Sequence, residues 1–396
     1  MKAITFLISL DEPLLATQAQ SGEANSAVSY PFIPGSMVRG ALIKEYLGKN
    51  NLASLDNSDN TTRQLFFDGT VCYLNAYLAH PSDNSLRLLP RPFSWFVPKD
   101  KANDKTEKIR DFAIVPDQNM DSPPKAPGAG QFVASSQNGV QLTSPTLQMT
   151  VHNASDDRSR KQEGSSQVYR YDSLAAGQYF VGTIISENGS LLQNKIEPLF
   201  EKMVFNLGGS YTAGYGRVEI SNIDFQAAWQ EYDSDGDPDF VTMTCLSDVI
   251  LRGASGQVGQ GLAALVGMEP ERSFAKMRVV GGFNRTWGLP LTQQWAIQAG
   301  TVFVFPASAK TTLENFVDSG LDERRAEGFG RVAINWHTQA EYPQSEMPAR
   351  IIEITPPKAL SITSQKLAQK MVLRQLQRQV DRAVVKKINN LCKKVF

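Results

Sequence analysis

Cysteine and histidine are both scarce. The three cysteines, Cys72, Cys245 and Cys392, are odd in number and carry no metal-ligand spacing. That excludes a zinc ribbon or disulfide framework and points to a reducing, cytoplasmic setting. The three histidines, His80, His152 and His337, leave few imidazoles for acid–base chemistry. Long apolar runs are also missing: nothing approaches the ~20 residues of a membrane span. Ala3 to Leu10 is short, meets Asp11 and Glu12, and lacks a small-residue cleavage site, so it reads as a first strand. With 41% apolar and 20% charged residues, the composition is globular, which excludes wholesale disorder, collagen and coiled coil. At ~150 residues per domain, 396 residues give two or three domains.

Signatures of nucleotide and metal chemistry are incomplete. Gly209 to Gly214 has P-loop spacing, but Tyr215 occupies the lysine position, so nothing there neutralises phosphates as an NTPase requires. Gly214-Tyr215-Gly216 lacks the third glycine of a dinucleotide fingerprint, and Gly208 to Thr212 lacks the last glycine of a nucleophile elbow. The aspartates of Asp233 to Phe240 are spaced like a calcium loop, but Pro238 replaces the turn glycine, which favours a polar linker. His337 and Glu341, four apart, read as exposed structural residues. No metal or cofactor is expected.

The neutral net charge hides an asymmetry. Pro357 to Phe396 holds ten basic residues against Asp381 alone, a net +9, and the rest of the chain is −9. Lys366, Lys370, Arg374, Arg378, Arg382 and Lys386 recur every four residues beside Leu373, Leu376, Val380, Val384, Ile388 and Leu391. Without glycine or proline from Ser361 onward, this spacing predicts one long amphipathic helix. Its stripe either packs on this chain or docks onto RNA or a partner, with Lys370, Arg374, Arg378 and Arg382 as candidate contacts.

A repeat is the strongest feature present. GGSYTAGYGRVEI (Gly208 to Ile220) and RRAEGFGRVAI (Arg324 to Ile334) share Gly-aromatic-Gly-Arg-Val, with Gly214 and Gly328 114 positions apart. Upstream, Ala175 to Ile184 and Ile297 to Phe305 both read as an Ala-Gly turn entering a strand. Each half opens with a strand candidate, Ala3 to Leu10 and Phe240 to Leu251. Two related halves follow, the first enlarged by insertions. In the first, Pro34-Gly35-Ser36 opens a helix capped by the serine hydroxyl, burying Met37, Ala41, Leu42 and Tyr46 and leaving Arg39 near its entrance. Leu65 to Leu78 reads as strand, turn and strand. Residues 82–146 read as long loops or an insertion rather than a separate domain, and the polar loop from His152 to Gln167 carries Arg158 and Arg160.

Glycine-rich backbone can bring N–H donors close to phosphate, arginine adds a forked cation, and tyrosine offers a stacking face. The competing reading is a tight turn packed on a neighbouring helix.

IPGSMVRGAL (Ile33 to Leu42), LFFDGTVCYLNAYL (Leu65 to Leu78), SLAAGQYFVGTI (Ser173 to Ile184) and GGSYTAGYGRVEI resemble, in order, the motifs of the RAMP superfamily of CRISPR-associated proteins. Among these the chain is similar to the large handle-binding subunits of type III-D effector complexes. The resemblance implies an α+β fold of two ferredoxin-like, RNA-recognition-like domains with antiparallel sheets. The domains would span 1–225, with the insertion at about 82–146, and 240–356, joined by an acidic linker at 226–239 and followed by the basic helix at 357–396.

It further implies a cytoplasmic, non-catalytic subunit of an antiviral ribonucleoprotein complex. Its partners would be CRISPR guide RNA (crRNA), other RAMP subunits and the large polymerase-like subunit, with no membrane. Expected RNA contacts are Arg39, Arg158, Arg160, Gly209, Ser210, Tyr211, Gly214, Tyr215, Gly216, Arg217, Gly330 and Arg331. A metal-independent endoribonuclease using His152, or a purely structural bridge, are the alternatives. The second half lacks a Pro-Gly-Ser entrance; Gly253 to Gly261 stands near that place.

Overall fold

The computed structural model describes the chain apart from residues 20–25, 117–118, 129, 137–138, 155–166, 231–238, 254–260, 285–286, 322, 349, 351–361 and 396. The aspartate-rich segment, most of the linker, and Arg158 and Arg160 lie outside the described residues. Met1–Ala349 forms one compact unit and Arg350–Phe396 a second. The first unit mixes helices with several antiparallel sheets.

The first half runs β1 (Lys2–Leu10), α1 (Gly35–Lys49), α2 (Asn60–Phe66), β2 (Val71–Tyr73), β3 (Tyr77–His80), β4 (Leu147–Ala154), β5 (Gln167–Leu174) and β6 (Tyr179–Ser186). Short helical turns (Gly189–Leu191, Leu192–Ile196, Glu197–Phe200), β7 (Val204–Asn206) and β8 (Arg217–Gln226) complete it. β1 is the sheet's centre, paired antiparallel with β6 and β8, while β2 and β3 both pair β6. Alternate β1 residues Ile4, Phe6, Ile8 and Leu10 are buried against Leu42 of α1 and Ile196 and Phe200 of the helical turns. This is the period-2 pattern meeting a helix stripe.

Two local expectations fail. Ser36 does not cap α1: Pro34 precedes the helix with no side-chain cap, and the Gly35 N–H donates instead to Asn75 Oδ1 at 3.0 Å. A Cβ on Gly35 would lie 1.8 Å from the Tyr73 carbonyl oxygen, so close approach rather than the turn demands glycine. Leu65 and Phe66 are the last turn of α2, not a strand; Asp59 caps that helix by accepting the Thr62 N–H at 2.7 Å.

The second half repeats the plan: β9 (Phe240–Cys245), α3 (Leu262–Val266), β10 (Arg272–Phe274), β11 (Met277–Val280), β12 (Gln294–Ile297), β13 (Val302–Pro306), α4 (Lys310–Ser319) and β14 (Val332–Ile334). Its sheet order, β10-β13-β9-β14, matches β2-β6-β1-β8 element for element. The match extends to single hydrogen bonds. Leu14 and Leu174 exchange N–H···O bonds at 2.9 Å; Val249 and Ile297 do so at 2.9 and 2.8 Å. The Gly177 N–H reaches the Leu10 oxygen, and the Gly300 N–H the Cys245 oxygen, both at 2.8 Å. β9 stops at Cys245, short of the strand expected through Leu251.

Residues 82–146 are not long loops. They hold short strands, among them Trp95–Pro98, Ile109–Asp111 and Gly139–Thr143. Trp95, Val97 and Ile109 pack with Leu246, Trp336 and Tyr342, so this insertion shares one core with the second half. In the second unit, α5 (Ile362–Val395) is the single long helix expected. No helix among the described residues is long and apolar enough to cross a membrane.

Candidate functional site

The two glycine motifs fold into the same loop. Ser210 (φ 59°, ψ 27°) and Arg324 (φ 58°, ψ 29°) are both left-handed and each enters a three-residue 3-10 turn. Left-handed Gly214 and Gly328 close those turns at φ 83° and 89°. Gly216 (φ 89°) and Gly330 (φ 76°) follow. A Cβ on Gly216 would meet the Leu207 oxygen at 2.2 Å, and one on Gly330 the Leu321 oxygen at 2.1 Å. The same backbone bonds hold each loop: Gly216 N–H to Pro13 O (2.8 Å) and Gly330 N–H to Asp248 O (2.9 Å). The Gly-x-Gly repeat thus encodes one close backbone crossing, made twice.

The surroundings differ. The second loop lies against the first half: a Cβ on Gly328 would stand 2.6 Å from the Tyr73 oxygen and 3.0 Å from the Asn75 nitrogen. Glu327 Oε1 accepts from Arg39 Nη2 at 3.1 Å, and Arg39 Nη1 donates to the Phe66 oxygen at 2.7 Å. Arg324 also pairs with Glu327 and lies 4.4 Å over the Phe329 ring. Arg331, expected at phosphate, is 5% exposed, its Nε has no hydrogen-bond partner, and burial lowers its pKa. Arg39, Glu327 and Gly328 therefore form a junction between the halves, and Gly330 and Arg331 are buried beside it rather than on an open surface.

The first loop is open. Nothing stands within 4 Å of a Cβ on Gly209 or Gly214. Among the described residues no acceptor pairs the N–H groups of Ser210, Tyr211 or Thr212. Tyr211 is 62% exposed. The Arg217 side chain is 56% exposed, its Nε 3.3 Å from Asp11 Oδ2, while its backbone N–H donates to Glu12 Oε2 at 3.2 Å. An ion pair this exposed contributes little and can exchange for another anion. Tyr215 is not the open stacking ring expected, being 3% exposed. Its hydroxyl lies 2.7 Å from His152 Nε2, and Tyr171 closes the cluster at 5.0 Å from the His152 ring and 5.9 Å from that of Tyr215. The loop thus rests on the β4–β5 hairpin, a contact no local motif encodes.

His337 is buried, not exposed. Its Nδ1 meets Asp111 Oδ2 at 2.6 Å, its Nε2 lies 2.8 Å from Thr244 Oγ1, and Trp95 Nε1 donates to the same Asp111 oxygen at 2.9 Å. Hydroxyl, imidazole and carboxylate thus stand in line, but the His337 and Asp111 side chains are fully enclosed, so the group joins the insertion to β9 rather than meeting a substrate. Lys370 and Arg374 lie exposed on α5, whereas the side chains of Arg378 and Arg382 fall outside the described residues. No group of three or more His, Cys, Asp or Glu arranged to hold a metal occurs among the described residues.

No protein-family model and no curated protein matches the sequence. Solved structures with a similar chain path do occur. A chain of type III-B Cmr-beta bound to cognate target RNA and AMPPnP is 14% identical, covering 78% of this chain and 88% of that one, at a TM-score of 0.45. A CRISPR associated protein Cas6 is 7% identical over 84% and 98% of the two chains, at 0.33. An oligomeric Cmr4 from Pyrococcus furiosus is 12% identical over 57% and 99%, at 0.27.

Proposed function

We propose that this chain is a non-catalytic, RNA-binding subunit of a CRISPR effector complex of the type III-D kind. It would hold the 5′ repeat-derived handle of the guide RNA and bridge neighbouring subunits, with two ferredoxin-like halves as its framework. One observation carries the RNA assignment. Of two loops with the same backbone, one is closed by the chain itself and the other presents open N–H groups, Tyr211 and Arg217. Backbone donors with an exchangeable guanidinium suit phosphate, and an exposed phenol suits an unpaired base. RNA contact is thereby assigned to Gly209, Ser210, Tyr211, Gly214 and Arg217 of the first loop, with Gly216 shaping it.

The test is fluorescence anisotropy with a labelled single-stranded RNA across a salt series. Arg217→Ala is expected to weaken binding and to reduce the slope of log affinity against log salt by about 0.7, one phosphate contact. Arg331→Ala is expected to lower thermal stability and leave that slope unchanged. An unaltered slope in Arg217→Ala would refute the assignment. A second reading, endoribonuclease, draws on the His152–Tyr215 pair at 2.7 Å beneath the loop. Specific RNA cleavage lost in His152→Ala would replace the binding-only function with that one.

A further inference from the structure

The segment after the first strand of each half grips its glycine loop through matching hydrogen bonds. The N–H groups of Asp11 and Glu12 donate to the Arg217 oxygen at 3.1 and 3.2 Å. Those of Leu246 and Ser247 donate to the Arg331 oxygen at 2.8 and 3.3 Å. The Gly216 N–H reaches Pro13 O as the Gly330 N–H reaches Asp248 O. The Arg217 N–H donates to Glu12 Oε2 at 3.2 Å, and the Arg331 N–H to Ser247 Oγ at 2.9 Å.

Asp11 therefore stands where the closed loop has Leu246, and Glu12 where it has Ser247. Neutral side chains serve that crossing in the second half, and a hydroxyl suffices to accept the arginine N–H. The backbone has no need of two carboxylates. One of them meets the guanidinium instead: Arg217 Nε lies 3.3 Å from Asp11 Oδ2, with 56% and 36% of the two side chains exposed. The acids thus belong to the loop with open N–H groups, at the cation assigned there to phosphate.

A carboxylate and a phosphodiester oxygen are both anionic acceptors, so they compete for one guanidinium. While Asp11 holds Arg217, an incoming phosphate gains no ion pair without breaking one, and it also nears the Glu12 carboxylate. A lone phosphate meets that cost with few other contacts. A strand already held by the Ser210, Tyr211 and Thr212 N–H groups delivers its next phosphate at high effective concentration.

We propose that Asp11 is an internal competitor for RNA phosphate, holding Arg217 until a single strand displaces it and so setting the affinity threshold of the loop. The proposal rests on the assignment of RNA phosphate to Arg217 and adds a residue that acts through it.

The experiment measures binding of a labelled oligouridylate to the full chain by fluorescence anisotropy at low salt, as a double-mutant cycle. The variants are Asp11→Asn, Arg217→Ala and the two together. Asp11→Glu preserves the charge, and Asp11→Ser is a second neutral replacement. Thermal melts check that each variant is folded.

Asp11→Asn is expected to tighten binding about threefold, the scale of an exposed ion pair, with the gain shrinking as salt rises. Asp11→Ser should behave alike, and Asp11→Glu should bind as the native chain does. In the Arg217→Ala background the gain is expected to vanish, because the competitor has lost what it competes for. Unchanged or weaker binding in both neutral variants makes Asp11 merely structural and overturns the proposal. So does an equal gain with and without Arg217, which makes Asp11 a general repulsive charge. If Arg217→Ala itself leaves affinity and salt slope unaltered, the RNA assignment fails and the competitor falls with it. An Arg217 effect without any Asp11 gain removes the competitor alone, so the two failures are told apart.

Discussion

At the scale of single residues, the two motif glycines of one loop do different work. Gly214 faces open space, so its only requirement is the left-handed backbone at φ 83°. Alanine there is expected to cost about 1 kcal/mol, the ordinary penalty of that conformation for an L-residue. Gly216 has the same backbone sign, but its absent Cβ makes room for the Leu207 oxygen. Backbone cannot move aside as a flexible side chain can, so Gly216→Ala is expected to cost about 3 kcal/mol or more. Urea titration of the two variants measures the difference. Equal losses would mean that the crossing relaxes freely and that strain alone explains both glycines.

At the scale of elements, the entrance of α1 shows how a helix end is satisfied from a distance. Its first N–H donates to Asn75, which lies between β2 and β3, in place of the adjacent Ser36 hydroxyl. Asn75→Ala is expected to cost about 1–2 kcal/mol through the lost acceptor, whereas Ser36→Ala changes stability little; thermal melts of both variants check this. The same element marks the limit of what sequence discloses. The first strands Ala3 to Leu10 and Phe240 onward and the glycine loops were legible, because turns and alternation are short-range signals. The α1 cap, the burial of Arg331 and the enclosure of Tyr215 were not, because their partners Asn75, Ser247 and His152 lie 40, 84 and 63 residues away. The short strands of the insertion hid for the same reason: its core closes only with Leu246, Trp336 and Tyr342. His337 met its partner Asp111 across 226 positions, beyond the reach of any spacing rule.

At the scale of the whole molecule, the compact unit Met1–Ala349 is tied across its halves by dissimilar contacts. Arg39 pairs with Glu327, the Tyr77 hydroxyl donates to the Leu246 oxygen, and Arg278 lies over the Tyr30 and Phe32 rings while pairing with Asp248. Neither half can unfold without exposing apolar surface of the other, since Trp95 and Trp336 share one cluster. The halves are therefore expected to unfold in one cooperative transition despite their separate sheets. Trp95 and Trp336 are buried at this junction, whereas Trp287 and Trp295 are exposed and Trp229 is half-buried beside Cys72 and Leu74, so with Trp229→Phe as background the change in tryptophan fluorescence reports chiefly on the junction. Far-ultraviolet circular dichroism reports on all the sheets. Coincident urea midpoints from the two probes are expected for the native chain, and Glu327→Ala should shift both together. A fluorescence midpoint well below that of circular dichroism would mean that the junction opens first and the halves are independently stable. The Arg39–Glu327 pair beside the second loop would then be a contact that can release.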